Sequence, residues 1–145
     1  MAEAKLSNLD ILKEWYQRVW VEADLEVIDT LFTPDTEAQG MMEFGVGPED
    51  FKALAGAVHE QIHEVSIHFD RVVELDNWIW SQMSAKATGK LNDGTVNVTG
   101  QIMCRIKDGK IVEAYNHFDF LTLFEQLGLL PEHTLALCLA GETIG

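Results

Sequence analysis

The sequence is short of cysteine and of basic residues. Two cysteines, Cys104 and Cys138, are too few for a disulfide framework and form no CxxC motif. Only 10 Lys and Arg stand against 24 Asp and Glu, which gives a formal net charge of −14. Such a chain repels phosphate backbones, and no basic cluster offsets the acids, so we expect no nucleic-acid partner.

Long hydrophobic runs are also missing from the sequence. No apolar stretch reaches the length of a membrane span, and the N-terminal segment lacks the apolar centre of a signal peptide. We therefore expect no membrane partner and a cytoplasmic location. Hydrophobic residues nevertheless make up 47% of the 145 residues, enough to build a core. We predict one domain over residues 1–145.

The order of the predicted elements is helices first and strands afterwards. Apolar residues at helical spacing predict three helices before residue 65, and turn-forming pairs such as Asp76-Asn77 and Asp108-Gly109 separate β-rich segments after it. This order indicates an α+β fold. The predicted elements are helices from Ser7 or Asn8 to Val21, Leu25 to Phe32 and from Pro48, a short strand at 36–42, strands Val65–Leu75, Trp78–Leu91, Val96–Lys107 and Lys110–Phe120, and helices from Leu121 and Pro131.

The last strand carries the polar residues that point most directly to chemistry. Tyr115, His117 and Asp119 alternate along it, and alternate residues of a regular strand share one face. If Asp108-Gly109 is a two-residue hairpin loop, Tyr115 lies opposite Ile102 and His117 opposite Gly100. That face is mostly apolar, as expected of a small-molecule pocket. A β-bulge would change the register and bring Gln101 or Arg105 into the pocket instead.

Two longer segments resemble a known family. The segments WYQRVWVEADLEVIDTLFTPD and IKDGKIVEAYNHFDFLTLFEQLG resemble, in order and spacing, the SnoaL-like polyketide cyclases of the nuclear transport factor 2-like and ketosteroid isomerase-like superfamily. The resemblance covers residues 9–130 approximately, and residues 131–145 form a C-terminal helical extension. Gln39 stands where the family often carries a histidine.

The resemblance implies a specific architecture and a site. It implies a cone-shaped, strongly curved antiparallel sheet, packed by the N-terminal helices around an apolar pocket, and a homodimer. It implies cyclisation chemistry without a metal or a cofactor, with Asp119 as the general acid/base. It also places Tyr16 and Trp20 on the first helix, facing the cavity.

The leading hypothesis is a cofactor-free enzyme that moves a proton α to a carbonyl of a hydrophobic small molecule. Asp119 is the expected base, His117 assists it, and Tyr16, His117 or Gln39 donates to the enolate oxygen. We also expect Trp20, Trp80, Ile102 and Tyr115 to contribute to the pocket. The alternative is a non-catalytic ligand-binding or dimerisation module of the same fold.

A zinc site is a competing interpretation of one short motif. His59-Glu60-Gln61-Ile62-His63 matches H-E-x-x-H, in which two histidines one helical turn apart bind zinc. The motif lies at the predicted end of the third helix and has no suitable third ligand downstream. We therefore expect no metal site, and we expect these histidines to lie at a solvated helix end.

Overall fold

The computed structural model describes residues 6–145, and its helices pack on one side of a sheet. Ser7 caps the first helix: its hydroxyl accepts a hydrogen bond from the Asp10 amide, and the Asp10 carboxylate accepts one from the Ser7 amide. The last helix begins later than predicted from Pro131, because His133 adopts a left-handed conformation just before it. The helical elements are α1 (Asn8–Trp15), a π-helical segment (Tyr16–Val21), a 3₁₀ turn (Leu25–Val27), α2 (Ile28–Leu31), α3 (Pro48–His59), α4 (Phe120–Gln126) and α5 (Thr134–Leu139).

Five strands form one sheet in the order β1-β5-β4-β3-β2, with β1 and β2 at its edges, so the sheet does not close into a barrel. The predicted α+β class is confirmed. The strands β2 to β5 pair antiparallel as predicted, and the short β1 adds one parallel pairing, with β5. The strands are β1 (Ala38–Gln39), β2 (Ile62–Leu75), β3 (Trp78–Gly89), β4 (Thr95–Lys107) and β5 (Lys110–Phe118).

The helices cover one face of the sheet, which we call the inner face; the opposite side is the outer face. Inward side chains such as Ile79 and Cys104 are fully buried and pack with Leu12 of α1 in the larger of two hydrophobic clusters. The smaller cluster joins β2, β3 and β4 to α4 and is formed by Ile62, Ala87, Val96, Leu123 and Leu127. Among residues 6–145, no helix has the length and hydrophobicity needed to cross a membrane.

Candidate functional site

A β-bulge at Val112 determines which side chains of β5 point inward. Ile106 pairs with Ile111, but Arg105 pairs with Glu113, so Val112 is one extra residue on β5. A one-residue shift moves every later side chain of a strand to the other face. Beyond the bulge, the inward residues of β5 are therefore Ala114, Asn116 and Phe118, of which the first two are buried.

The predicted hairpin register is wrong for this reason. Gly100 lies opposite Phe118, Gln101 opposite His117, and Met103 opposite Tyr115. Tyr115 and His117 are consequently exposed on the outer face. The prediction that they face the pocket is wrong.

The two β4 residues considered as alternatives do not enter the pocket either. The bulge lies on β5 and leaves the alternation of β4 intact, so Gln101 and Arg105 stay on the outer face. There the Arg105 guanidinium donates to the Glu113 carboxylate at 2.6 Å, and the Tyr115 hydroxyl donates to the same carboxylate at 2.9 Å. The hydrogen bond from Arg105, followed by that from Tyr115, lowers the pKa of Glu113.

An apolar cavity of about 80 Å³ lies on the inner face. Its wall includes members of both hydrophobic clusters, so it occupies the gap between them. Nearly all of its surface is apolar, which suits a hydrophobic ligand. For scale, an apolar cavity of roughly 150 Å³ accommodates benzene, so a ring-sized ligand requires side chains at the mouth to move. The wall includes Tyr16, Trp20, Asn116, Phe118 and Asp119.

Tyr16 brings a phenol into this apolar wall. Its side chain is 2% exposed, and its ring packs edge-on against Phe69 at 5.8 Å and tilted against Phe118 at 6.3 Å. Burial, with a smaller contribution from the nearby Cys104, raises the pKa of Tyr16 well above its ordinary value. Tyr16 therefore remains a neutral hydrogen-bond donor at any physiological pH.

Asp119 lies where β5 ends and α4 begins. Its carboxylate caps α4, accepting hydrogen bonds from the Thr122 amide at 3.0 Å and from the Thr122 hydroxyl at 2.7 Å. The residue is exposed, and it borders both the inner cavity and a groove on the outer face that also includes His117. The structure shows no hydrogen bond between Asp119 and His117 among the described side chains.

The other predicted pocket residues divide between the two faces. Trp20 lines the cavity. Ile102 is buried on the inner face but belongs to the packed core and not to the cavity wall. Trp80 is wrongly predicted as a pocket residue: it lies on the outer face, where its indole N–H donates to Gln101 at 3.1 Å. Gln39 does not line the cavity, but its backbone carbonyl accepts a hydrogen bond from the side-chain amide of Asn116.

Asn116 is a polar residue of the cavity wall that the sequence did not predict there. It is 5% exposed, lines the cavity, and donates from Nδ2 to the Gln39 carbonyl at 3.4 Å. Strict alternation along β5 assigned it to the outer surface. The alternation Ala114, Asn116, Phe118 is itself the signal that a search for a bulged register would have found.

The π-helical segment places Tyr16 and Trp20 in the cavity wall and is held by a histidine. In a continued π-helix the Asp24 amide would donate to the carbonyl five residues earlier, that of Val19. It donates to the Arg18 carbonyl instead, so Val19 does not receive this backbone hydrogen bond. His59 Nε2 lies 2.8 Å from the Val19 oxygen. Because a carbonyl only accepts, Nε2 carries the proton and donates it.

His59 and His63 do not form the zinc pair that their spacing suggested. His59 is the last residue of α3, whereas His63 belongs to β2 and is exposed. The helical geometry that brings two such histidines together is therefore missing. Within residues 6–145, no group of three or more His, Cys, Asp or Glu side chains could hold a metal ion.

Sequence comparison assigns the family. The profile of the SnoaL-like domain matches residues 12–114. The chain belongs to the SnoaL-like domain family. The matched segment ends before Asn116 and Asp119, so the family match does not extend to these two residues. A search of curated proteins finds no significant match to the chain.

Solved structures of this fold match over most of the chain. A candidate SnoaL-like polyketide cyclase from Jannaschia sp. CCS1 has a TM-score of 0.73 at 15% identity, over 90% of this chain and 100% of its own. IdmH, a candidate polyketide cyclase from Streptomyces antibioticus, has a TM-score of 0.72 at 19% identity, over 85% and 99%. AclR, a candidate hydroxylase from Streptomyces galilaeus, has a TM-score of 0.74 at 18% identity, over 92% and 88%. At these identities, the likeness shows the fold alone.

Proposed function

We propose that the inner cavity binds a hydrophobic small molecule and that the protein moves a proton α to a carbonyl of that molecule, in cyclase or isomerase chemistry without a cofactor. One observation carries the proposal: among the described residues that line the apolar cavity, Asp119 supplies the only carboxylate. A carboxylate beside an apolar wall can remove a proton from a carbon acid. The family and the fold neighbours described as candidate cyclases agree with this chemistry.

Two groups carry the proposed reaction. Asp119 removes the α-proton at the mouth of the cavity, and Tyr16 donates a hydrogen bond to the oxygen on which negative charge develops. The raised pKa of Tyr16 keeps its proton in place during the reaction. His117 has no role in this scheme, because it lies on the outer face.

Exchange of α-hydrogens measures this chemistry without knowledge of the natural substrate. Cyclohexanone in D₂O serves as the probe, and NMR follows the loss of its α-proton signal. We expect the protein to accelerate exchange over the rate without protein. In Asp119→Asn we expect this acceleration to be at least tenfold smaller. Asparagine is as good an N-cap as aspartate, so the variant retains the cap of α4. His117→Asn is the matched control and is expected to exchange like the wild type. Equal rates for the wild type and Asp119→Asn would refute the assignment of Asp119.

A second candidate function is a ligand-binding module without catalysis. Its support is the pair of hydrogen bonds from Thr122, which gives the Asp119 carboxylate a structural role at the start of α4. This alternative predicts saturable binding of phenol or cyclohexanone with no acceleration of α-exchange. Calorimetry and the exchange assay on one sample distinguish the two functions.

The outer face is the proposed surface of a homodimer. It exposes apolar and aromatic side chains, and two of its carboxylates are bonded within the chain, Glu113 to Arg105 and Asp70 to His68. Two chains of net charge −14 repel each other, so a face without surplus acid is the favourable place for contact. The patch of the outer face that we propose as the dimer surface is defined by Val73, Trp78, Trp80, Met103 and Tyr115.

We also propose a cytoplasmic location, in agreement with the two free cysteines.

A further inference from the structure

Two buried polar side chains in the cavity wall have hydrogen-bonding capacity that the protein does not use. Tyr16 and Asn116 are 2% and 5% exposed. The Tyr16 hydroxyl bonds to no described residue, and the Asn116 amide makes a single hydrogen bond, to the Gln39 carbonyl. The few polar groups in the wall of an apolar cavity are those that orient a ligand, so their unused hydrogen-bonding capacity points to a ligand that supplies the partners.

The Gln39 carbonyl fixes the orientation of the Asn116 amide. A carbonyl only accepts, so the amide nitrogen of Asn116 must face it, and Oδ1 is left on the other side. No fully enclosed side-chain oxygen or nitrogen of residues 6–145 lacks a partner. The unbonded Oδ1 is therefore not enclosed in the core. Because Asn116 lines the cavity, we take the cavity as the space that Oδ1 faces.

We propose that Asn116 and Tyr16 form a subsite that selects neutral ligands carrying a hydroxyl or an enolised carbonyl: phenols, enols and hydroxy-ketones. Asn116 Oδ1 accepts a hydrogen bond from the ligand, and the Tyr16 hydroxyl donates one to it. Both groups are neutral, so the subsite offers no counter-charge to a carboxylate or an ammonium group. The proposal rests on the cavity being the ligand site of the proposed function, and it adds the feature that the ligand must present.

Phenol and toluene test the subsite, because the two molecules have nearly the same shape and differ by a hydroxyl in place of a methyl. Titration of the wild type with each probe, followed by calorimetry or by ligand-observed NMR, gives two dissociation constants. In Asn116→Leu we expect phenol to bind about 3- to 10-fold more weakly, the range for one lost hydrogen bond. Toluene affinity is expected to stay the same or to increase.

Two further variants keep the test decisive. Asn116→Ala provides the same comparison if leucine does not fit, because only the ratio of the phenol and toluene effects is needed. Gln82→Leu removes a half-buried amide from the outer face and is the matched control; we expect it to change neither affinity.

The outcomes separate this proposal from the proposed function. Equal effects of Asn116→Leu on phenol and toluene would overturn the subsite while leaving the cavity as a ligand site. Binding of neither probe to the wild type would overturn both. Since the measurement is binding, a loss of α-exchange in Asp119→Asn has no influence on its result.

Discussion

The ring of Phe118 lies directly over Gly100 on the neighbouring strand. The two residues are partners in the β4–β5 register, and a Cβ built on Gly100 would stand only 2.3 Å from Cδ1 of Phe118. The absence of a side chain at Gly100 thus allows Phe118 to lie against the sheet and form part of the cavity wall. The glycine makes room for a phenylalanine, and not for His117 as the sequence suggested.

Replacing Gly100 by alanine is expected to destabilise the protein. The new methyl group must displace the Phe118 ring, and overpacking of this kind typically costs about 1–3 kcal/mol. Urea unfolding measures the change. Gly56→Ala in α3 is the matched control: its Cβ would meet Leu25 at an ordinary 3.5 Å, and we expect it to stabilise the helix by about 0.5–1 kcal/mol. A Gly100→Ala protein as stable as the wild type would contradict the described packing.

The sequence predicted the hairpins well and the faces of the last strand poorly. Turn pairs such as Asp108-Gly109 gave the correct hairpins, because turn residues act locally. The bulge at Val112 has no comparable local signal, since valine is an ordinary strand residue. Tertiary packing decides that Asn116 and not His117 is buried, because the strand pattern is compatible with both registers and does not choose between them.

The first histidine of the H-E-x-x-H pattern makes a contact that the pattern does not indicate. His59 reaches the Val19 carbonyl 40 residues earlier in the chain. This contact depends on how α3 packs against the π-helical segment. Neither element alone indicates it, because the unusual geometry of Tyr16–Val21 arises only in the folded protein.

Removing the His59 imidazole is expected to loosen the π-helical segment. His59→Leu leaves the Val19 carbonyl without its donor, and an unpaired, partly buried carbonyl costs about 1–3 kcal/mol. Urea unfolding should show this loss, and the fluorescence of Trp20, whose ring lies 5.6 Å from that of His59, should change with it. His63→Leu is the control, because His63 is exposed; its effect is expected within about 0.5 kcal/mol. Equal stability of the two variants would refute the role of His59.

Alkaline pH is expected to destabilise the protein through Cys104. Burial raises the pKa of this thiol from 9.0 to about 12. Above pH 9, the unfolded chain loses the proton while the folded protein keeps it, so stability is complete below pH 9 and is lost as the pH rises towards 12. The slope for one such group is about 1.4 kcal/mol per pH unit. Tyr16, whose pKa is also raised, adds to the slope above pH 10.

Urea unfolding under reducing conditions between pH 8 and pH 11 measures that slope. Cys104→Ala should lower the stability at pH 8, because a buried side chain is truncated, but it should also flatten the decline between pH 9 and pH 10. Cys138→Ala is the matched control, since Cys138 is exposed, and its slope should equal that of the wild type. An unchanged slope in Cys104→Ala would show that other groups cause the alkaline loss.

A charge placed on the outer face is expected to separate the proposed homodimer. Met103 is 43% exposed at the centre of the patch, between Trp80 and Tyr115. In a twofold interface each substitution occurs twice, so Met103→Glu buries two added carboxylates in a contact between two acidic chains. Sedimentation velocity should show a dimer for the wild type and at least tenfold weaker association for the variant. Leu91→Glu makes a similar change at the β3–β4 turn, where Leu91 is 76% exposed, and should leave the dimer intact. A wild type that sediments as a monomer would rule out the homodimer, and an intact Met103→Glu dimer would place its interface elsewhere.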